Sequence, residues 1–138
     1  MSIVQFAIDD LKKHEGFRQF PYKDSLGILT IGYGRNLESN GISEREAANL
    51  LRGDVLEAIY GLQKRLEFWF ELTEARQVIL INMAVNMGIV RLMGFKKFLA
   101  ALKGRNYQLA ANEMLDSKWA SQVGSRATEL AQRMEHGF

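Results

Sequence analysis

The sequence contains no cysteine, one proline and two histidines among its 138 residues. Without cysteine, the chain can form neither a disulfide framework nor a thiolate metal site or nucleophile. The two histidines, His14 and His136, could build a zinc site only with help from carboxylates. No apolar run approaches the roughly 18 residues of a membrane-spanning helix. Asp9 and Asp10 interrupt the first apolar stretch, so we expect no signal peptide and synthesis in the cytoplasm.

The composition predicts one ordinary domain with a real core. Apolar residues make up 47% of the chain, which argues against disorder. The net charge is only +2 and the pI about 9.0, which favours weak attraction to anionic surfaces. An ordinary solvated surface explains the same charge, and a nucleic-acid-binding role has little support because no helix is densely basic.

The first element is predicted to be an amphipathic helix. Val4, Ile8, Leu11 and Glu15 recur at the spacing of one helix face. Gly16 is the natural end of this helix. The spacing therefore places the carboxyl group of Glu15 at the edge of an apolar face, on the last turn.

The segment 17–34 predicts a β-hairpin. Residues alternate on both sides of a turn that spans 24–27, which has aspartate first and glycine last. On the first arm, Phe20, Tyr22 and Asp24 share one side. On the second arm, Thr30 and Ile31 point to opposite faces of the strand.

The rest of the chain is predicted to be helical. A capping box from Ser43 to Glu46 opens a long helix that runs to about Phe70, and Thr73 caps an apolar central helix that ends near Gly88. Shorter helices are predicted at about 95–103, 107–116 and 125–136. The fold is therefore predicted to be α+β and mainly helical. It would be a single domain over 1–138, with a small β-lobe (about 12–43), a connecting helix (about 44–70) and a helical lobe (about 73–138) that includes the N-terminal helix. A cleft is expected between the lobes.

Glu15, Asp24 and Thr30 are the candidate catalytic residues. A carboxyl group beside apolar residues and at a helix C-terminus is favoured in its protonated form, which suits a general acid. Asp24, as a more solvated carboxylate, would stay ionised. Glycoside hydrolysis needs such a pair of one protonated and one ionised carboxyl group. Each residue also has an ordinary interpretation: Glu15 as a surface glutamate, Asp24 as a turn cap and Thr30 as a strand residue.

The motif around these residues resembles that of the phage T4-type lysozymes, which are muramidase endolysins. Eight residues separate Glu15 from Asp24, and five separate Asp24 from Thr30. This spacing is the family's catalytic motif, within a segment that continues to Gly34. The resemblance covers about residues 11–37 and 76–126, and it implies a lysozyme-like fold.

The resemblance implies a role for each matching residue. Glu15 would protonate the departing glycosidic oxygen, Asp24 would activate a water molecule, and Thr30 would help to hold that water. The family inverts the anomeric configuration, which predicts carboxyl groups about 6.5–9.5 Å apart. Arg126 would pair with Glu15, and Gly34 lies in the matched motif.

Two further matches lie in the helical lobe. Asn86 falls where the family has a polar side chain at the cleft floor. Trp119 matches a tryptophan that packs under the cleft, and we interpret it as a core residue rather than a sugar platform. Arg35 replaces a histidine of the best-known family member and is expected to make a different ion pair. The segment 36–43 is shorter than in that enzyme, so the cleft is expected to contact fewer sugars.

The implied function is that of a phage or prophage endolysin. It would hydrolyse the β-1,4 bond between N-acetylmuramic acid and N-acetylglucosamine in peptidoglycan, without a metal or other cofactor. We expect a monomer with no membrane anchor and no nucleic-acid partner. It would stay in the host cytoplasm until a holin-type pore gives access to the cell wall in the periplasm. The alternatives are a lytic transglycosylase and a non-catalytic peptidoglycan-binding tail module.

Overall fold

The computed structural model describes residues 2–138, which form a mainly helical α+β chain. The strands are β1 (Arg18–Lys23), β2 (Leu29–Gly32) and β3 (Arg35–Asn36). The helices are α1 (Ile3–Glu15), α2 (Leu37–Asn40), α3 (Glu44–Arg65), α4 (Glu74–Met87), α5 (Ile89–Met93), α6 (Lys96–Lys103), α7 (Tyr107–Leu115), α8 (Lys118–Val123) and α9 (Ser125–His136). The predicted fold class is confirmed. Within the described residues, no helix is long and apolar enough to cross a membrane.

The chain divides into two compact units, Met1–Asn49 and Leu50–Phe138. The first contains α1, the sheet, α2 and the beginning of α3. The second contains the remainder of α3 and all later helices. The predicted division into two lobes and a connecting helix, with α1 assigned to the helical lobe, stays a prediction.

The first unit begins with the predicted helix and hairpin. Ser2 caps α1 by accepting the N–H of Gln5 at 3.1 Å, and α1 ends at Glu15 as predicted. β1 and β2 form the predicted antiparallel hairpin. The sequence missed β3, which pairs with β2 over only two residues and has too short a pattern to recognise.

The long helix α3 begins as predicted but ends earlier. The capping box forms in full: Ser43 N–H donates to Glu46 Oε1 at 2.9 Å, and Glu46 N–H donates to Ser43 Oγ at 3.1 Å. The helix ends at Arg65 and not near Phe70. The chain leaves the helix there and buries Phe68 and Trp69 in the core, with a 3₁₀ turn over Trp69–Glu71.

The core lies in the second unit around α4. Ile79, Leu80 and Met83 of this helix are fully buried, as the apolar run predicted. Thr73 caps α4 by accepting the N–H of Arg76, which confirms the predicted start. The three predicted short helices correspond to α6, α7 and α9. The sequence missed α5 and α8, which have only five and six residues.

Arg76 fixes the end of α9 to α4. Its Nε donates to the carbonyl of Met134 at 2.7 Å, and its Nη2 donates to the carbonyl of Glu135 at 2.9 Å. The guanidinium also lies 3.4 Å from the centre of the Tyr107 ring. Helix C-termini have carbonyl groups without intrahelical partners, and Arg76 satisfies two of them. Burial lowers the pKa of Arg76 below its ordinary value.

Candidate active site

Glu15 lies at the C-terminal end of α1, against Gly34. A Cβ atom at Gly34 would lie 2.7 Å from Glu15 Oε2 and 2.9 Å from Glu15 Cδ. The absence of a side chain at position 34 therefore lets the carboxyl group approach the backbone that follows β2. Glu15 itself is exposed, and α1 buries none of its residues. The expected place of Glu15 at the edge of a core is therefore not seen.

Asp24 closes the hairpin turn and orders it with one carboxyl oxygen. Asp24 Oδ1 accepts the N–H of Leu26 at 2.8 Å and the N–H of Ile28 at 2.9 Å. This is the turn-capping interpretation that the sequence also allowed. Among residues 2–138, no hydrogen bond to Oδ2 is formed, so this second oxygen can accept a proton or a water molecule. Structural and chemical roles can thus be divided between two oxygens of one side chain.

Thr30 lies in the middle of the sheet and is only 4% exposed. Its Cα pairs with that of Tyr22 in β1 and that of Asn36 in β3. The hydroxyl group donates to the carbonyl of Ile28 at 2.8 Å. Because its hydrogen is used in this bond, Thr30 Oγ1 can act toward any further group only as an acceptor.

Ile28 joins Asp24 and Thr30 through its backbone. Its N–H donates to Asp24 Oδ1, while its carbonyl accepts both the Asp24 N–H at 2.9 Å and the Thr30 hydroxyl at 2.8 Å. The hairpin therefore fixes the carboxylate and the hydroxyl relative to a single residue. Asp24 and Thr30 thus share one hydrogen-bonded backbone group.

Arg35 makes the different ion pair that the sequence predicted. Its Nη2 lies 2.8 Å from Glu46 Oε1, and its Nε donates to the carbonyl of Gly41 at 3.2 Å. The backbone N–H of Ser43, its hydroxyl and the nearby Arg35 charge lower the pKa of Glu46 below its ordinary value. Arg35 thus ties the strand after Gly34 to the loop and to the start of α3.

The remaining candidates lie in the second unit. Trp119 is fully buried, which confirms its interpretation as a core residue, and its Nε1 donates to Asn86 Oδ1 at 3.0 Å. Asn86 and Arg126 line an open cavity of about 370 Å³. Arg126 belongs to a different unit from Glu15, so their pairing stays a prediction.

Sequence reasoning missed one side chain beside this site. Glu38 in α2 accepts the N–H of Leu29, the residue before Thr30, at 2.9 Å. Its segment shows only as a polar, turn-rich stretch, and nothing in the sequence indicates this partner. Within residues 2–138, no group of three or more histidine, aspartate and glutamate side chains could hold a metal ion.

Glu15 at a helix end and Asp24 in a hairpin turn are two carboxyl groups of the first unit, and glycoside hydrolysis uses a pair of such groups. The profile of the phage lysozyme family matches residues 12–136, and the chain belongs to that family. The family that the motif suggested is thus confirmed.

Individual relatives agree with this assignment. The chain is 35% identical over 141 residues to the endolysin of Bacillus phage B103, and the match covers 98% of this chain and 52% of that protein. It therefore spans about half the length of this relative. It is 26% identical over 164 residues to "Probable T4-type lysozyme 1" of Dictyostelium discoideum, covering 98% and 96% of the two chains. It is also 25% identical over 148 residues to the pre-baseplate central spike protein Gp5 of Enterobacteria phage T4, covering 87% and 26%.

Proposed function

We propose that this chain is a muramidase that acts as a phage or prophage endolysin. It hydrolyses the β-1,4 bond between N-acetylmuramic acid and N-acetylglucosamine in peptidoglycan, with inversion at the anomeric carbon. The observation that carries the proposal is that the backbone of Ile28 forms hydrogen bonds with both Asp24 and Thr30. Membership of the phage lysozyme family and the similarity to an endolysin support it.

Glu15 is the general acid of the proposed reaction. Its protonated carboxyl group donates a proton to the oxygen that bridges the two sugars as the bond from that oxygen to the anomeric carbon breaks. The close approach to Gly34 restricts where this carboxyl group can lie. The protein must hold the protonated Glu15 carboxyl group in the right position, because a misplaced general acid loses most of its effect on the reaction rate.

Asp24 and Thr30 prepare the attacking water molecule. Asp24 Oδ2 accepts one hydrogen and takes that proton as the water oxygen bonds to the anomeric carbon. Thr30 Oγ1 accepts the other hydrogen, because its own hydrogen is bound to Ile28. The water lone pair is then directed at the sugar. Room for this water requires carboxyl groups about 6.5–9.5 Å apart, which stays a prediction.

Other residues are proposed to support the three catalytic groups. Arg126, Asn86 and Trp119 take the supporting roles that the family resemblance implies, and the indole N–H of Trp119 orients Asn86. Gly34 gives Glu15 its space. No metal or other cofactor takes part in the proposed reaction.

The proposed biological setting follows from the endolysin role. The protein acts as a monomer on the glycan strands of peptidoglycan. It stays in the host cytoplasm until a holin-type pore opens and then acts on the wall from the periplasm. Host lysis is the result.

A clearing assay tests the proposal. Wild-type protein, Glu15→Gln and the control Glu44→Gln are added to a suspension of purified peptidoglycan, and its turbidity is followed. Both glutamates are exposed and both lie in the first unit, so the two substitutions are matched. Clearing by wild type and Glu44→Gln, with none by Glu15→Gln, is expected. Full activity of Glu15→Gln would refute the assigned acid.

The second candidate is a non-catalytic peptidoglycan-binding tail module, and the similarity to the central spike protein Gp5 supports only the part of it that concerns a phage structural protein. Such a protein would sediment with peptidoglycan but release no new reducing ends. A lytic transglycosylase would instead produce 1,6-anhydro ends. Analysis of the soluble products therefore separates the three functions, and reducing ends are expected.

A further inference from the structure

Glu38 extends the hydrogen bonding of the sheet where β3 has ended. Strand β3 pairs only with Thr30 and Ile31 of β2, so Leu29 lies beyond the paired residues. Glu38 Oε1 accepts the Leu29 N–H at 2.9 Å. Glu38 lies in α2, nine residues after Leu29 in the sequence, and α2 brings its carboxylate back to the Leu29 N–H.

The amide bond between Ile28 and Leu29 is consequently held on both sides. On the nitrogen side, the Leu29 N–H donates to Glu38. On the oxygen side, the Ile28 carbonyl accepts the Thr30 hydroxyl at 2.8 Å and the Asp24 N–H at 2.9 Å. Since a peptide unit is planar, fixing its N–H also fixes the direction of its carbonyl. Glu38 is therefore connected to the Thr30 hydroxyl through one rigid group.

We propose that Glu38 is a positioning residue for the hydrolytic reaction, and that it acts through Thr30. The inference rests on the proposed function, because it concerns the water-holding role of Thr30. The negative carboxylate polarises the amide, which makes the Ile28 carbonyl a better acceptor for the Thr30 hydroxyl. That bond keeps the Thr30 lone pair directed to the attacking water. Glu38 has no need to touch the substrate.

Steady-state kinetics of Glu38→Ala and Glu38→Gln test this role. Glu38→Ala should lower kcat about three- to tenfold with an unchanged KM, since an exposed hydrogen bond contributes modestly and orients only the water. Glu38→Gln should restore most of the activity, because the amide oxygen can still accept the Leu29 N–H. Glu44→Ala removes a charge from the same unit and should be active. An increased KM at constant kcat would overturn the proposal, and so would a Gln variant as impaired as Ala.

A double-mutant cycle with Thr30→Ala separates positioning from a general structural effect. If Glu38 acts through Thr30, Glu38→Ala should change kcat less than twofold when Thr30 is already alanine, because coupled residues are not additive. Equal losses in both backgrounds would show that Glu38 acts independently and would overturn the inference.

Nuclear magnetic resonance gives a readout that does not depend on activity. In Glu38→Ala, the Leu29 amide proton should move upfield and exchange faster, and the Thr30 resonances should shift, while Glu38→Gln stays close to wild type. Unchanged Leu29 and Thr30 signals would refute the inference even in an active enzyme. Conversely, wild type without hydrolytic activity would refute the proposed function while the Leu29 signal still reported the hydrogen bond.

Discussion

The carboxyl group of Glu15 occupies the space that a side chain at Gly34 would fill. A Cβ atom at position 34 would lie 2.7 Å from Glu15 Oε2, closer than such contacts are tolerated. Gly34 also has a φ of 76°, a backbone angle that residues with a side chain rarely adopt. Glycine at position 34 thus suits the backbone conformation, and it leaves the Glu15 carboxyl group in a place that a Cβ atom would force it to leave.

Gly34→Ala should therefore impair catalysis through Glu15. Gly32→Ala is the matched control, because Gly32 has a similar φ of 67° but, within residues 2–138, nothing apart from its chain neighbours lies within 4 Å of its Cβ position. Both variants should lose about 1 kcal/mol of unfolding free energy from backbone strain. Only Gly34→Ala should also lower kcat more than tenfold, since the acid must move. Equal activities of the two variants would show that the approach of Gly34 to Glu15 has no catalytic importance.

Asp24→Asn should separate the turn role of Asp24 from its role as a base. The asparagine oxygen can still accept the N–H groups of Leu26 and Ile28, so the turn and the stability should be kept. An amide cannot take the proton of the water, so kcat should fall by orders of magnitude. Kinetics and thermal unfolding of the same preparation provide the test. A minor loss of rate would shift the mechanism toward assistance by the substrate.

The lowered pKa of Glu46 predicts that the folded chain loses stability in acid. Its pKa in the folded chain lies below the ordinary value of 4.5. The ionised form is therefore favoured by folding, and its contribution is present above about pH 4.5 and is lost as the pH falls through the lowered folded pKa. Glu46→Gln should be less stable than wild type at pH 7 and should converge with it in acid. Urea unfolding from pH 7 to pH 3 measures this, with Glu44→Gln as control. A constant difference at all pH values would contradict the account.

The hydrogen bonds of Arg76 predict a large loss of stability when this residue is replaced, although it takes no part in the proposed reaction. Arg76→Met would leave the carbonyls of Met134 and Glu135 without their donors. Because unsatisfied buried groups are costly, the unfolding free energy should fall by about 2–4 kcal/mol. Arg133→Met is the control, since the Arg133 side chain forms an exposed ion pair with Glu129 and its removal should cost less than about 1 kcal/mol. Similar losses in both variants would refute the special role of Arg76.

Local signals in the sequence predicted the elements that carry the site. The apolar spacing ending at Glu15, the turn beginning at Asp24 and the capping box from Ser43 each depend on residues within a few positions of each other. They also allowed two interpretations of Asp24. The structure explains why both remained open, because Oδ1 caps the turn while Oδ2 makes no bond within residues 2–138.

Contacts between distant residues could not be predicted from these signals. Glu38 acquires its partner only because β3 is short and α2 turns back toward Leu29. Arg76 binds carbonyls that lie 58 and 59 residues later, and a single arginine in a helix gives no indication of such partners. The early end of α3 also depends on contacts outside the local sequence, since burial of Phe68 and Trp69 in the core overrides the local helical pattern.

The anomeric configuration of the first product tests the central claim most directly. Wild-type protein is added to soluble, uncrosslinked glycan strands, and proton nuclear magnetic resonance follows the new reducing end before the two anomers equilibrate. If Asp24 and Thr30 direct water to the face opposite the bond that Glu15 protonates, cleavage of the β-linkage should release the α-anomer first. Initial release of the β-anomer, or of an anhydro end, would contradict the account.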